Sequence, residues 1–341
     1  MATKAGKHTL ILNSSPSILS FAAVGSKKEG EGPLGQKLDI LNDDTSFGQR
    51  SWEKAESQMQ KLCMAKSLEK AQLSPQELDY IFAGDLLNQC IGSSYGLRDF
   101  SIPFFGLYGA CSTMAEGLML AAMLVEGGLA KRCAAITSSH FCSAERQFRL
   151  PLEYGGQRTP TAQWTVTGSG SVIVGDSCSP PFIRAVCTGT IEDLGIKDSN
   201  NMGAAMAPAA AKTIQTFFED TASSAGDYDL ILTGDLAEVG TKLMKELLAR
   251  EGISLEGRHN DCGLMIYDMK KQQDINAGGS GCGCGAAVLC ADILPKIVSG
   301  ELNNVLFIGT GALMSPTSVQ QGESIPGIAH LVQLCSTKGA T

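Results

Sequence analysis

Cys111 stands in "LYGACSTM", between a glycine-bearing turn and an apolar run that continues at helical spacing. A thiol just ahead of a helix meets free N–H groups and the positive end of the helix dipole. Both favour the thiolate, the form that attacks acyl groups. Ser112 and Thr113 follow with hydroxyls and further N–H groups. A second glycine-rich turn, "AGGSGCGCGAAV", offers the N–H groups of Gly279, Ser280 and Gly281 ahead of another helical run. Such a turn takes anions. Cys282 and Cys284 read either as a ligand or redox pair or as small residues packed between glycines; without a second pair of ligands the spacing specifies no metal. Between the two turns, "SSHFCSAERQFRLP" supplies His140, Arg146 and Arg149. The guanidinium groups suit carboxylates, or serve surface and interface salt bridges. His140 closes an apolar run and can touch a ligand or hydrogen-bond the backbone.

These residues need a frame, and the chain repeats one. "LDYIFAGDLLNQ" and "YDLILTGDLAEV" match, with Asp85 and Asp235 in equivalent places. Each is followed by a cysteine-bearing glycine turn, then an apolar helical pattern ("LMLAAMLVEGGLA", "AAVLCADILPKIVSG"), then a strand ("RCAAITSSH", "NNVLFIGTGAL"). "KHTLILNSS" and "PFIRAVCTGTI" read as the opening strands of the two halves, and "TGSGSVIVGD" as a late strand of the first. The long helical patterns are residues 50–74, closed by Ser74-Pro75, and "PAAAKTIQTFFEDTA". Strands alternating with helices predict an α/β fold. Two halves, residues 1–180 and 181–341, form one compact unit with a pocket at their junction. Asp85 and Asp235 end strands and can cap neighbouring turns.

Composition narrows the partners. A net charge of −8 and no basic stripe exclude a nucleic-acid footprint, and disfavour direct binding to anionic lipid. Twelve cysteines, mostly inside apolar runs, predict buried free thiols in a reducing compartment. The N-terminal apolar run is too short for a signal peptide, and no run of about 18 apolar residues crosses a bilayer.

The helix, the "LDYIFAGDLLN" strand, "SIPFFGLYGACST" and the following helix resemble the first half of the thiolase superfamily. The resemblance implies a duplicated five-layer α/β/α/β/α fold with pseudo-two-fold halves. Within it, "AGDLLNQ", "SSHFCSAERQFRLPLEYGGQRTPTAQWTVTGSGSVIV", "MGAAMAPAAA", "DCGLMIYD" and "TGALMSPTSVQQGESIPGIAH" resemble the stage V sporulation protein AD branch nearly end to end.

That branch implies binding of dipicolinic acid (pyridine-2,6-dicarboxylate), or its calcium chelate, for uptake into the developing spore. Cys111 matches the superfamily's acyl-accepting cysteine. The superfamily's partners are missing: where related enzymes carry His-Gly after the second-half strand, this chain has Thr233-Gly234-Asp235. Where they carry His or Asn in the next turn it has "GGSGCGCG". None of His8, His140, His259 and His330 lies in those motifs. A carboxylate beside Cys111 raises the thiol pKa by like-charge repulsion, so Cys111 reads as a vestigial nucleophile lining a pocket that holds its ligand. Asp235 fits a ligand-borne calcium better than a bare dianion. No resident cofactor is expected; coenzyme A enters only under the alternative, an acyltransferase or condensing enzyme using Cys111. The resemblance further implies a homodimer whose central strands pair across the two-fold axis. It also implies contact with other subunits of the stage V sporulation A membrane complex. The expected place is the cytoplasm, or the spore inner membrane peripherally, through those partners.

Overall fold

A computed structural model describes residues 2–148, 158–255 and 257–339. The first stretch carries strands β1 (Thr3–Ala5), β2 (Thr9–Ile11) and β3 (Ser17–Ser26), helix α1 (Lys27–Gly30), β4 (Ile40–Asn42) and α2 (Trp52–Ala71). It continues with β5 (Tyr80–Gly84), α3 (Ile91–Leu97), β6 (Phe104–Gly106), α4 (Thr113–Glu126), β7 (Arg132–Ser139) and α5 (Phe141–Phe148). Then come β8 (Trp164–Thr165), β9 (Gly168–Gly175), β10 (Phe182–Cys187), α6 (Met202–Thr221), β11 (Leu230–Thr233) and α7 (Ala237–Arg250). The rest holds β12 (His259–Asp261), α8 (Cys262–Met265), β13 (Gly279–Ser280), α9 (Cys282–Val288), α10 (Leu294–Val298), β14 (Asn304–Ala312), α11 (Pro316–Gln320) and β15 (Gly327–Cys335). Residue 180 falls between β9 and β10.

The strands follow the order β12-β11-β14-β15-β10-β3-β9-β7-β5-β6. In one run β6 and β7 flank β5 in parallel, β9 joins β7 and β3 joins β9, both antiparallel. In the other, β12 and β14 flank β11 in parallel, β15 joins β14 and β10 joins β15, again antiparallel. The two runs repeat one pattern of pairing.

Three hydrophobic cores fill the gaps. Helix α2 covers β3, β5, β7 and β9 through Met59, Cys63 and Met64. Helices α6 and α7 cover β11, β14 and β15 through Ile214, Phe217 and Met244. Between the runs lie α4, α9, the π-helical turn at residues 289–293 and α10, packed on strands of both. This explains why "LMLAAMLVE" and "AAVLCADIL" lack a polar face: a helix caught between two sheets has no side turned to water. Leu118, Ala121 and Ala122 on α4 and Val288 to Leu294 on the other segment are all buried.

Helix ends follow local chemistry. Ser51 caps α2 by accepting Lys54 N–H (3.4 Å), and left-handed Gln72 stops it. It therefore ends before Ser74-Pro75, which opens the next short turn. Helix α6 starts at Met202, ahead of the expected Pro208, because Asn201 caps it by accepting Ala204 N–H; the proline lies inside. The expected opening strand at residues 7–15 is also corrected. Only Thr9–Ile11 is a strand, a hairpin arm against β1 that pairs with β10. The first run is opened instead by β3, which is buried on almost its whole length. Burial on both faces removes the alternation that marks a strand in sequence.

Candidate functional site

The turn after β6 places Cys111. Ala110 adopts a left-handed φ of 49°, a conformation that costs energy for a residue with a Cβ. Ser112 donates both N–H (3.0 Å) and hydroxyl (2.7 Å) to the Gly109 carbonyl, and the Thr113 hydroxyl donates to the Ala110 carbonyl (2.7 Å). The two hydroxyls proposed from sequence as ligand contacts are thus spent on holding the turn. Cys111 itself is half-buried.

It opens on a cavity of about 430 Å³, within the range of small-molecule sites. Asp85, Cys111 and Ser280 form part of its polar side, with Asn88, Gln89 and Thr165, and Met202, Met206 and Leu313 part of its apolar side. Among the described lining residues there is no Lys, Arg or His.

Asp235 sits behind Ser280, fully buried. Its Oδ2 accepts the Ser280 hydroxyl (3.0 Å) and Gly281 N–H (2.9 Å), and its Oδ1 the Thr310 hydroxyl (2.8 Å). The anion-binding turn read from "GGSG" is therefore already filled, by a carboxylate of the chain itself. Burial raises the Asp235 pKa, opposed by Gly281 N–H, Cys111 and the hydroxyls. The Cys111 thiol is held well above its usual range: hydrogen bonding with Cys282, burial and the Asp235 charge all favour its protonated form. The helix start that was expected to favour a thiolate is outweighed by these neighbours.

Behind Asp85 lies a second acid. Asp85 accepts Leu87 N–H (2.9 Å), Ser93 N–H (2.7 Å) and the Ser93 hydroxyl (2.7 Å). Glu56 of α2, fully buried, accepts the hydroxyls of Ser138 (3.1 Å) and Ser143 (2.7 Å). Burial first, then the Asp85 charge, push Glu56 up to about 8. Asp85 is also raised, by burial.

The other sequence candidates divide. Gly279 and Ser280 form β13 and pair with β8 at the cavity. Cys282 Sγ donates to the Ala110 carbonyl (3.0 Å), and Cys284 Sγ to the Gly234 carbonyl (3.7 Å). Both are buried, free and packed between the two turns. His140 is away from the cavity: its ring stacks on Trp52 and its Nε2 meets the Thr45 carbonyl (2.8 Å). Arg146 is also away, half-exposed and paired with Glu53, so it is not placed to clamp a carboxylate in the cavity. Arg149 lies outside the described residues. Among the described residues no group of three or more His, Cys, Asp or Glu could hold a metal ion, and no helix is long and apolar enough to cross a membrane.

Sequence reasoning missed Glu56, Thr310, Gln163 and the apolar wall. Gln163 donates to the carbonyls of Asp235 (2.6 Å) and Gly279 (3.1 Å), tying the two together. The duplication carried one usable signal: Asp85 occupies the place of Asp235, and both end a strand at the cavity. Nothing in the spacing pointed to the others.

A family model described as stage V sporulation protein AD matches residues 6–335. The chain belongs to that family. Stage V sporulation protein AD of Bacillus subtilis (strain 168) is 45% identical over 336 residues, 98% of this chain and 99% of that protein. The fold is thiolase-like α/β, shared with condensing enzymes at low identity. OleA of Xanthomonas campestris, solved with lauric acid and lauroyl-CoA, has a TM-score of 0.59 at 12% identity, covering 96% of this chain and 99% of that one. The 3-oxoacyl-[acyl-carrier-protein] synthase III of Aquifex aeolicus has a TM-score of 0.55 at 13% identity, covering 94% and 99%. This chain thus shares the fold of condensing enzymes, with Asp235 just beyond the end of β11, beside Cys111.

Proposed function

We propose that the Cys111 cavity holds dipicolinic acid, or its calcium chelate, without converting it, for uptake into the developing spore. The observation that carries the reading is the environment of Cys111. Its neighbours are a second thiol and a buried carboxylate, which keep it protonated, and the described cavity wall offers no imidazole or amine to take its proton. The choice of ligand follows the family resemblance. A wall that carries the Asp85 carboxylate suits a dianion best when a hard cation travels with it. Asp235 and Asp85 both accept hydrogen bonds from the chain through both carboxylate oxygens; of the two, Asp85 lines the cavity, so it is the carboxylate nearer to that calcium.

Titration calorimetry with pyridine-2,6-dicarboxylate, with and without calcium, tests this. The expected result is saturable heat, with Cys111→Ser weakening binding by less than about tenfold, or about 1.4 kcal/mol. No heat under either condition overturns the reading. A second reading, acyl transfer from coenzyme A thioesters through Cys111, is favoured by the apolar wall of Met202, Met206 and Leu313. It requires a mass shift on the Cys111 peptide after incubation with acyl-CoA, and that adduct would displace the binding reading.

The two strand runs are read as duplicated halves of a five-layer, pseudo-two-fold unit. Strand β6 ends one run with an unpaired edge, and Phe104, Phe105 and Tyr108 beside it are 40%, 48% and 66% exposed. A second copy pairing there covers both edge and rings. Light scattering is expected to give twice the chain mass, and Phe105→Glu to give single chains; a monomeric parent rules the dimer out. Attachment to the spore inner membrane is assigned to the other subunits of the stage V sporulation A complex.

A further inference from the structure

Asp261 lies outside the cavity, on β12, yet its carboxylate brackets the turn that carries Asp235. It is fully buried. Its Oδ1 accepts the N–H groups of Ala237 (2.8 Å) and Gly263 (2.9 Å). Its Oδ2 accepts Leu236 N–H (2.9 Å) and the Thr233 hydroxyl (2.5 Å). Thr233 comes before Asp235 in this turn, and Leu236 and Ala237 come after it. Ala237 is held at a left-handed φ of 52°, which an alanine adopts only when its surroundings fix it. The parallel register of β11 and β12 sets Thr233 opposite Asp261, so the sheet itself delivers the carboxylate to this turn. Two more polar neighbours meet this group: His259 Nε2 contacts the Thr233 hydroxyl (3.0 Å), and Asn260 Oδ1 accepts Asp261 N–H (2.9 Å).

We propose that Asp261 is a positioning residue for the cavity: by clamping residues 233–237 it fixes the Asp235 carboxylate in its place behind Ser280, beside the Cys111 turn. This rests on the reading that Asp235 suppresses Cys111. Asparagine at 261 keeps the shape but loses an acceptor. Whichever way its amide is turned, its NH₂ faces either Ala237 and Gly263 N–H or Leu236 N–H and the Thr233 hydroxyl. The turn then relaxes, and Asp235 with it.

The test is alkylation of Cys111 by iodoacetamide as a function of pH, read on its peptide by mass spectrometry, together with the melting temperature. Asp235→Asn is expected to speed alkylation near pH 8 by about tenfold or more, and Asp261→Asn by about threefold, in the same direction. Thr233→Val, which removes one of the four bonds and is milder for folding, is expected to move the profile less. A lower melting temperature in Asp261→Asn and Thr233→Val with the Cys111 profile unmoved makes Asp261 a purely structural residue and overturns the proposal. An unmoved profile in Asp235→Asn overturns the underlying reading, and with it any role of Asp261 through Asp235.

Discussion

Glu56→Gln is expected to lose less stability than the parent protein as pH rises from about 5 to about 8, the difference being the contribution of this one group. Glu56 is buried on α2, bonded to the Ser138 and Ser143 hydroxyls, with the Asp85 and Glu53 charges near it. Its carboxyl moves from an ordinary 4.5 to about 8 on folding. In that window the unfolded chain has released the proton and the folded chain still holds it. The folded state therefore binds more protons, and stability falls as pH rises. Its contribution is complete below 4.5 and lost as pH passes through about 8. The slope from one such group reaches about 1.4 kcal/mol per pH unit. Glutamine keeps an acceptor for the serines and carries no charge, so this slope disappears. Urea unfolding of both proteins across the window is the measurement; equal slopes would show that Glu56 ionises normally.

Gly283→Ala is expected to destabilise the protein by about 3 kcal/mol or to prevent its accumulation in soluble form. A Cβ there would stand 2.2 Å from the Gly168 carbonyl oxygen of β9, a backbone atom that cannot move aside. On the facing strand, a Cβ at Gly170 would stand 2.5 Å from the Ala286 carbonyl oxygen. Helix α9 and strand β9 thus touch backbone to backbone, and this contact seats the turn that carries Ser280 and Cys282. Gly285→Ala, one turn position further, is the control. Its nearest neighbours are 3.5 Å away, in ordinary contact, so it should stay within about 1 kcal/mol of the parent. Thermal melting of the two variants checks the pair. Equal melting temperatures would mean that the helix can shift off the strand.

The repeat explains how much was legible. Matching Gly-Asp-Leu strand ends, cysteine-bearing turns and apolar helices recur in the same order because each run of the sheet uses the same pairing pattern. The α/β class, most strands, and the place of Cys111 at a turn before a central helix could therefore be read directly. Strand β3 could not, since its burial on both faces erased its period. Nor could the fate of Arg146, because a guanidinium in sequence suits a ligand and a neighbouring glutamate equally, and Glu53 is brought beside it only by the packing of α5 on α2.

The sequence by itself determined the family, the α/β frame and the presence of a cysteine where an acyl acceptor belongs, because these depend on local pattern and on residue type. Only the tertiary structure decided what state that cysteine is in. The Thr-Gly-Asp motif already marks Asp235 as a carboxylate that raises the thiol pKa, but the hydrogen bond with Cys282 and the depth of burial follow from distance, which no spacing encodes. The "GGSG" turn shows this most directly. Its Gly281 N–H and Ser280 hydroxyl do take a carboxylate, as a turn before a helix allows, but that carboxylate is the side chain of Asp235.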